Sequence, residues 1–308
     1  MSDRAQQIIA PIVILIVMLV AWEGLVAALD IQQFLLPRPS SIVSNLVRVI
    51  TLTDDPLPED TSEIKTLLKE DLLFISIPAD TPDELLADVN EMTLFKFPST
   101  NGTSLLVEGD NWSPIIQAGF FTLKEALGGL AIGCILGIIV ALVTARWTAT
   151  REALLPFAIA ANSMPIIAFA PIANNWFGID NPFSKMAIVA VMTFFPMMLN
   201  TVKGLTSIDA RSLELMRSYA ASEFEILRKL RMPNALPFLF NGLKISAALS
   251  MIGAIVGEYF GGPRIALGVF ITQEAALFRF SSAWAAIIIA CAIGITLYVI
   301  IIIAERLV

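Results

Sequence analysis

Long apolar runs separated by polar connections set the rhythm of the chain: Ile8 to Leu29, Ala126 to Val143, Ala153 to Ala173, Met186 to Val202, Ile245 to Gly257 and Ala283 to Ala304. Each approaches the roughly 20 residues a helix needs to cross about 30 Å of hydrocarbon, the fifth with the amphipathic stretch before Ile245. None shows the alternate-residue pattern of barrel strands, and in lipid only helices otherwise satisfy every backbone group internally. The pattern predicts an all-α membrane protein of about six transmembrane helices. The first run, about 22 residues, exceeds the roughly 7 to 15 of a signal-peptide core and is expected to be a retained helix.

The rhythm breaks between residues 51 and 115. Leu72 to Ile77 and Thr93 to Phe97 read as strands, and Thr81 opens an expected helix through Met92, with Pro82 first and Asp83 and Glu84 in its first turn. The expected organisation is a first helix and outer connection over 1–50, a small α/β insert over 51–115, and a core over 116–308.

Composition agrees with a bilayer as solvent: 56% of the 308 residues are hydrophobic, 15% are charged and the mean hydropathy is +0.77, whereas soluble domains carry about 25% charged residues. The net charge of −7 is unevenly spread. The insert holds 14 acidic residues against three lysines, leaving 17 basic and 13 acidic elsewhere. Arg146 and Arg151 fall in one connection, and Lys203, Arg211, Arg217, Arg228, Lys229 and Arg231 in another. The positive-inside rule places both in the cytoplasm, with Arg306, so both termini are expected inside a plasma or inner membrane and the insert outside. The insert has no aspartate-rich calcium loop, and its charge reads as a solvated face.

Several chemistries drop out. Histidine is absent, removing the commonest transition-metal ligand and acid-base catalyst. Cys134 and Cys291 fall inside expected spans as small apolar residues. No clustered nucleophile, acid and base is found, which argues against a membrane enzyme. An ion-driven secondary transporter would carry charges deep in its spans. Glu23 and Glu125 instead sit toward span ends, and Lys185 and Lys244 are expected to snorkel to the interfaces.

Gly129, Gly133 and Gly137 recur every fourth residue, so one face of the second span admits another backbone, either within the chain or at a dimer seam. Pro165 and Pro171 interrupt the third run. Irregular backbone at membrane depth is tolerated where it is buried in protein or lines a cavity, which makes Asn162, Ser163 and Met164 candidate pathway residues; simple kinking is the alternative. Phe194 and Phe195 beside Pro196, with Ser250 and Glu258, complete the candidate path. Glu258, at the outer end of the fifth span, reads as a gate or docking contact or as a solvated helix-end charge.

Residues 207–243, SIDARSLELMRSYAASEFEILRKLRMPNALPFLFNGL, are too polar to span and too regular to be slack linker. Asp209 can cap a helix carrying Leu213, Met216, Tyr219 and Ala220 on one side. A turn near Ala221 and Ser222 precedes a second helix with Phe224, Leu227, Leu230 and Arg231, which Pro233 is expected to stop. Such a pair offers apolar knobs bordered by charge to a groove on a partner.

This segment resembles the EAA loop of binding-protein-dependent ABC importer permeases: E-A-A, three residues, G, nine residues, I-x-L-P. Glu214 matches the acid, Leu215 and Met216 replace the alanines, Ala220 replaces the glycine, and Leu230, Met232 and Pro233 close the pattern. Alanine enters the left-handed region less cheaply than glycine, so a turn needing positive φ there is expected to differ locally. LLPRPSSIV at Leu35 to Val43, APIANNWFGI at Ala170 to Ile179, FFPMMLNTVKGL at Phe194 to Leu205 and IGAIVGEYFGG at Ile252 to Gly262 are similar to the branch importing nitrate, sulfonates, taurine, pyrimidine precursors and flavins. The insert is not part of that pattern.

The resemblance implies a type I permease fold in which two permease copies, expected identical, enclose one path. It also implies a soluble extracytoplasmic binding protein and two cytoplasmic ABC ATPase subunits docked on a coupling loop over 204–235. Glu214, Arg217, Ser218, Tyr219, Ala220, Ala221, Ser222, Leu230 and Pro233 would carry that coupling. No G-x-x-x-x-G-K-[ST] occurs, so ATP and Mg would be bound by the partner, and no cofactor or metal by this chain. YAASEFEILRKLRMPNALP looks closer to the pyrimidine-precursor and flavin permeases, implying a small heterocycle such as a pyrimidine or thiamine precursor or a flavin. Nitrate, sulfonate or taurine-like anions are the alternative within the class.

Overall fold

The computed structural model describes residues 3–29, 31–32, 36–51, 74–78, 93–99, 102–107, 114–146 and 165–307. In order these form α1 (Asp3–Ala28), α2 (Pro39–Thr51), β1 (Phe74–Pro78), β2 (Thr93–Ser99), β3 (Gly102–Val107), α3 (Pro114–Arg146), α4 (Ile166–Phe177), α5 (Pro182–Thr206), α6 (Ala210–Ser218) and α7 (Glu223–Ile226). A π-helical turn (Leu227–Arg231), α8 (Met232–Tyr259), α9 (Leu267–Ala276) and α10 (Phe280–Leu307) follow. Among the described residues four helices are long and apolar enough to cross a membrane, Ile115–Thr144, Pro182–Thr206, Glu223–Tyr259 and Phe280–Leu307; Val13–Ala28 and Ile166–Phe177 are shorter apolar helices. Five of the six apolar runs thus coincide with helices, and the third does so from Ile166 onward. Residues 147–164, with Asn162, Ser163 and Met164, lie outside the described set, as does the expected helix from Thr81 to Met92.

The chain divides into two units, Met1–Ala118 with Phe270–Ile288 and Gly119–Val269 with Ile289–Val308. In the first, Glu23 on α1 accepts the Ser40 backbone N–H at 3.0 Å and the Ser40 hydroxyl at 2.7 Å. The carboxylate thereby satisfies an orphan donor in the first turn of α2. Trp22 meets Trp284 edge-on, ring centroids 5.4 Å apart. The insert contains an antiparallel sheet of order β1-β3-β2. Its two outer strands fall near the expected segments; β3 was not expected. Ser99 pairs with Gly102, so only two residues separate β2 from β3 in the sequence.

The second unit is organised around α5. The Gly129, Gly133 and Gly137 face of α3 lies directly on it: a β-carbon would stand 2.6 Å from the Met186 carbonyl oxygen at Gly129, 2.6 Å from that of Ala190 at Gly133, and 2.8 Å from that of Phe194 at Gly137. On the other flank Gly253 of α8 brings its backbone against Val189, where a β-carbon would approach Cα to 3.2 Å. Leu130, Cys134 and Met197 form one buried cluster, with Leu239 and Leu243 against it. Ala170, Ala173 and Ile188 join α4 to α5 in another, with Val256 against it. Ala141, Met198 and Val202 form a third, on which Phe194 and Phe195 pack. Hydroxyls buried in α5 return to their own helix: Thr193 donates to the Val189 carbonyl at 2.9 Å and Thr201 to that of Met197 at 2.7 Å. Ile135, Leu136, Ile139, Ile295, Ile300 and Ile303 stay exposed, as side chains facing lipid tails would be.

Two expectations about charge are corrected. Lys185 is completely buried and donates to the Ile179 carbonyl instead of snorkelling, because it sits one turn into α5 beneath the packed α4–α8 contact. Glu258 is fully enclosed rather than solvated, and Glu125 is 1% exposed, so the spans do contain buried charge. Lys244 pairs with Glu305 at 2.6 Å, both side chains partly exposed.

Adding a methyl at Gly133 forces α3 and α5 apart, and Gly133→Ala is expected to cost about 1–3 kcal/mol of overpacking. Gly24→Ala, where a β-carbon meets nothing within 4 Å, is expected to be neutral or to gain roughly 0.5–1 kcal/mol of helix propensity. Thermal unfolding of both variants in one detergent checks the contrast.

Candidate coupling elbow

The elbow is built where α5 runs out of apolar sequence. Thr206 ends the helix, Ser207 follows, and α6 starts behind Asp209, whose extended backbone occupies the cap position. The Asp209 side chain takes the Ser212 hydroxyl at 3.4 Å and makes no backbone cap. α6 lasts nine residues and buries none of them fully, so its shape depends on its ends.

Its C-terminal end is a Schellman closure. The Ala221 N–H donates to the Met216 carbonyl at 3.1 Å and the Ala220 N–H to that of Arg217 at 2.9 Å. This pairing requires a left-handed residue after the cap, and Ala220 supplies it at φ +53°. The expectation that alanine would alter the local geometry is therefore corrected: the reciprocal bonds hold the turn, against the roughly 1–2 kcal/mol a β-carbon costs there. Ser222 immediately opens α7 with a capping box, its hydroxyl accepting the Glu225 N–H at 3.3 Å while Glu225 accepts the Ser222 N–H at 3.0 Å. Glu225 also pairs with Lys229 at 3.3 Å on the surface. Two helix ends are thus closed within a few residues.

Pro233 does not stop the second helix. The chain continues helically from Glu223 to Tyr259, through the π-helical turn, where the Met232 N–H reaches back to the Leu227 carbonyl. The wider turn accommodates a proline whose ring would otherwise press on the carbonyl four residues earlier, and Pro233 falls within the first two positions of α8.

Asn234, which the sequence reading missed, ties the elbow's exit to its entry. Its amide Nδ2 donates to the Gly204 carbonyl at 2.8 Å, the Ser207 carbonyl at 3.3 Å and the Ser207 hydroxyl at 3.2 Å, satisfying carbonyls left open at the end of α5. Beside it Gly204 lies so close to α8 that a β-carbon would stand 2.8 Å from the Ala235 Cα. A polar residue directly after a proline at a helix start was the available signal.

Ile226 is buried and anchors the elbow, and Leu213, Met216, Leu227 and Leu230 are half-buried, whereas Leu215, Tyr219 and Phe224 are exposed at 57, 79 and 69%. Glu214, Arg217, Ser218, Ala220, Ser222 and Pro233 are exposed too, and Ala221 is half-buried. Two large aromatics therefore project from either side of one rigid turn, bordered by Arg211, Arg217, Arg228 and Lys229. Of the pathway candidates, Phe194 and Phe195 are half-buried and edge-on at 4.8 Å. Ser250 is enclosed and donates to the Ala247 carbonyl at 2.8 Å. A further polar pair went unread: Asn241 donates to Asn200 at 2.9 Å across α8 and α5.

Comparison with known proteins adds to this geometry. A family model described as binding-protein-dependent transport system inner membrane component matches residues 133–308. The chain is 34% identical over 207 residues to the riboflavin transport system permease protein RibX of Chloroflexus aurantiacus, covering 66% of this chain and 76% of that one. It is 35% identical over 167 residues to the formylaminopyrimidine transport permease protein ThiX of Halalkalibacterium halodurans, covering 54% and 66%. In fold it is similar to a chain of the MetNI methionine ABC transporter in an inward-facing conformation, with a TM-score of 0.55 at 16% identity, covering 63% of this chain and 95% of that one.

Glycine at position 220 removes the β-carbon penalty while keeping the backbone bonds, so Ala220→Gly is expected to stabilise the chain by about 1 kcal/mol. Ser222→Ala, which deletes the cap, is expected to lose about 1 kcal/mol. Chemical unfolding of the purified chain reads both signs.

Proposed function

Because this chain belongs to the family of inner membrane components of binding-protein-dependent transport systems, and is an ABC importer permease and not an enzyme, we propose that the elbow over 204–235 is the surface through which a separate ATPase drives it. The observation that carries this reading is the pairing of exposed Tyr219 and Phe224 around a turn closed by two sets of reciprocal caps. A rigid knob transmits displacement, whereas a slack loop would absorb it. The Asn234 clamp and the Gly204–Ala235 contact join that knob to α5 and α8. Displacement of the elbow therefore reaches the two helices at the centre of their unit.

In this reading two cytoplasmic ATPase subunits bind ATP and Mg and engage the elbows of two permease copies, while a binding protein delivers substrate to the opposite side. Both termini lie in the cytoplasm, by the placement of basic residues. Coupling of this kind requires two states that differ in elbow contacts. The substrate is a small heterocycle, a pyrimidine precursor or a flavin; likeness to the riboflavin and formylaminopyrimidine permeases supports it, as does the aromatic pair Phe194 and Phe195 among the candidate path residues.

Replacing Tyr219 and Phe224 together by alanine is expected to weaken retention of the co-expressed ATPase by roughly 30-fold or more, as loss of buried aromatic anchors does. Substrate-stimulated ATP hydrolysis in proteoliposomes should fall with it. Undiminished stimulation in the double variant would reject the elbow as the drive surface, and uptake of riboflavin and formylaminopyrimidine against nitrate in the same vesicles tests the substrate class.

A further inference from the structure

The transport reading makes no use of a buried ionisable group near one end of the α3–α5–α8 packing. Glu258, on the last turn of α8, accepts the Thr122 hydroxyl at Oε1 at 2.7 Å and the Gly268 N–H at Oε2 at 2.7 Å. Thr122 in turn accepts the Leu267 N–H at 3.0 Å. Glu258 and Thr122 together therefore satisfy the first donors of α9, where the helix dipole favours a negative charge. Gly268 allows the approach, since a β-carbon there would stand 2.8 Å from the Glu258 Cβ. Both Glu258 oxygens already have donors.

Glu125 has none. It lies one turn after Thr122 on α3, 1% exposed, and among the described residues no N–H or O–H reaches either of its carboxyl oxygens. Thr122, one turn before it on the same face of α3, is bonded to Glu258, which sets the two buried carboxyls beside each other, each acting on the other's charge. Among the described residues the other charged group acting on the pair is Lys185 of α5, also completely buried, with Asp180 acting on Lys185 from the turn before α5. Fully ionised, the buried trio would carry a net charge of −1, with two like charges in contact. An unpaired charge or an orphaned buried acceptor is costly in such a place.

We propose that Glu125 is a proton-binding site: it holds one exchangeable proton and donates it in a hydrogen bond to the Glu258 carboxylate. One proton brings Glu125, Glu258 and Lys185 to zero net charge, removes the repulsion and supplies the donor the pair lacks. It sits on Glu125 because Glu258 is already stabilised as an anion by two donors. A metal cation fits worse. Hard cations take several oxygen ligands, whereas the Glu258 oxygens and the Thr122 hydroxyl are engaged, and no group of three or more candidate metal ligands occurs among the described residues.

The test is infrared spectroscopy of the full-length chain in lipid nanodiscs at neutral pH, with isotope-labelled glutamate carboxyls. The expected result is the carbonyl stretch of a protonated glutamic acid that shifts in heavy water, is unaffected by sodium at constant pH, and vanishes in Glu125→Gln. That variant should keep a thermal transition close to the unmodified protein, because its amide can donate to Glu258. Glu258→Gln should lower the transition clearly, since its NH2 would oppose the Thr122 or Gly268 donor. Absence of the band, its survival in Glu125→Gln, or its loss on adding sodium would each overturn the proposal. Should Glu125→Gln fail to fold, Glu125→Asp decides: the labelled glutamic-acid band must give way to an aspartic-acid band.

Discussion

Helices in a bilayer gain little by hiding apolar side chains from an equally apolar solvent, so their association rests on how closely backbones can approach. In this chain the burden falls on α5. Gly129, Gly133 and Gly137 let α3 lie on one flank, while Gly253 and Gly242 let α8 lie on the other. The larger side chains, Met197, Met198, Ile188 and Leu130, fill what the small residues leave. Every other feature of this unit is attached to that stack, at one end the elbow and at the opposite end the buried carboxyls.

The elbow shows how a short polar segment acquires a definite shape with almost no core of its own. Nine residues of α6 cannot sustain a helix by length, and α7 is the first turn of the long helix that runs on to Tyr259. Their stability comes from the ends, a Schellman closure through Ala220 and a capping box through Ser222, placed back to back. Ile226 adds the one fully buried anchor. Rigidity thus comes from hydrogen-bond closure, which leaves the aromatic surface of Tyr219 and Phe224 exposed.

The opposite end of the stack follows the reverse principle, burying polar groups so that they orient one another. Thr122 and Glu258 cap α9 from two different helices, and Asn174 of α4 donates to the Gly257 and Gly261 carbonyls at 3.2 and 3.4 Å. Such networks are costly when incomplete and specific when closed. The α8–α9 junction consequently has a defined geometry although its backbone is irregular there.

The apolar runs placed the helices, because in lipid length and hydropathy leave a chain little alternative. The four-residue glycine spacing likewise marked a face for close approach, and the spacing around Glu214 and Pro233 marked the elbow. Which helix would meet the glycines, whether Ala220 would be left-handed, and whether Pro233 would end its helix all turned on bonds between residues distant in the fold or on a change of helical pitch. Lys185 and Glu125 were misread for the same reason: position along a span says how deep a residue lies, whereas burial depends on what packs over it. Hydropathy is a property of each segment by itself and was legible at once; the pairing of Glu125 with Glu258 exists only where α3, α5 and α8 come together.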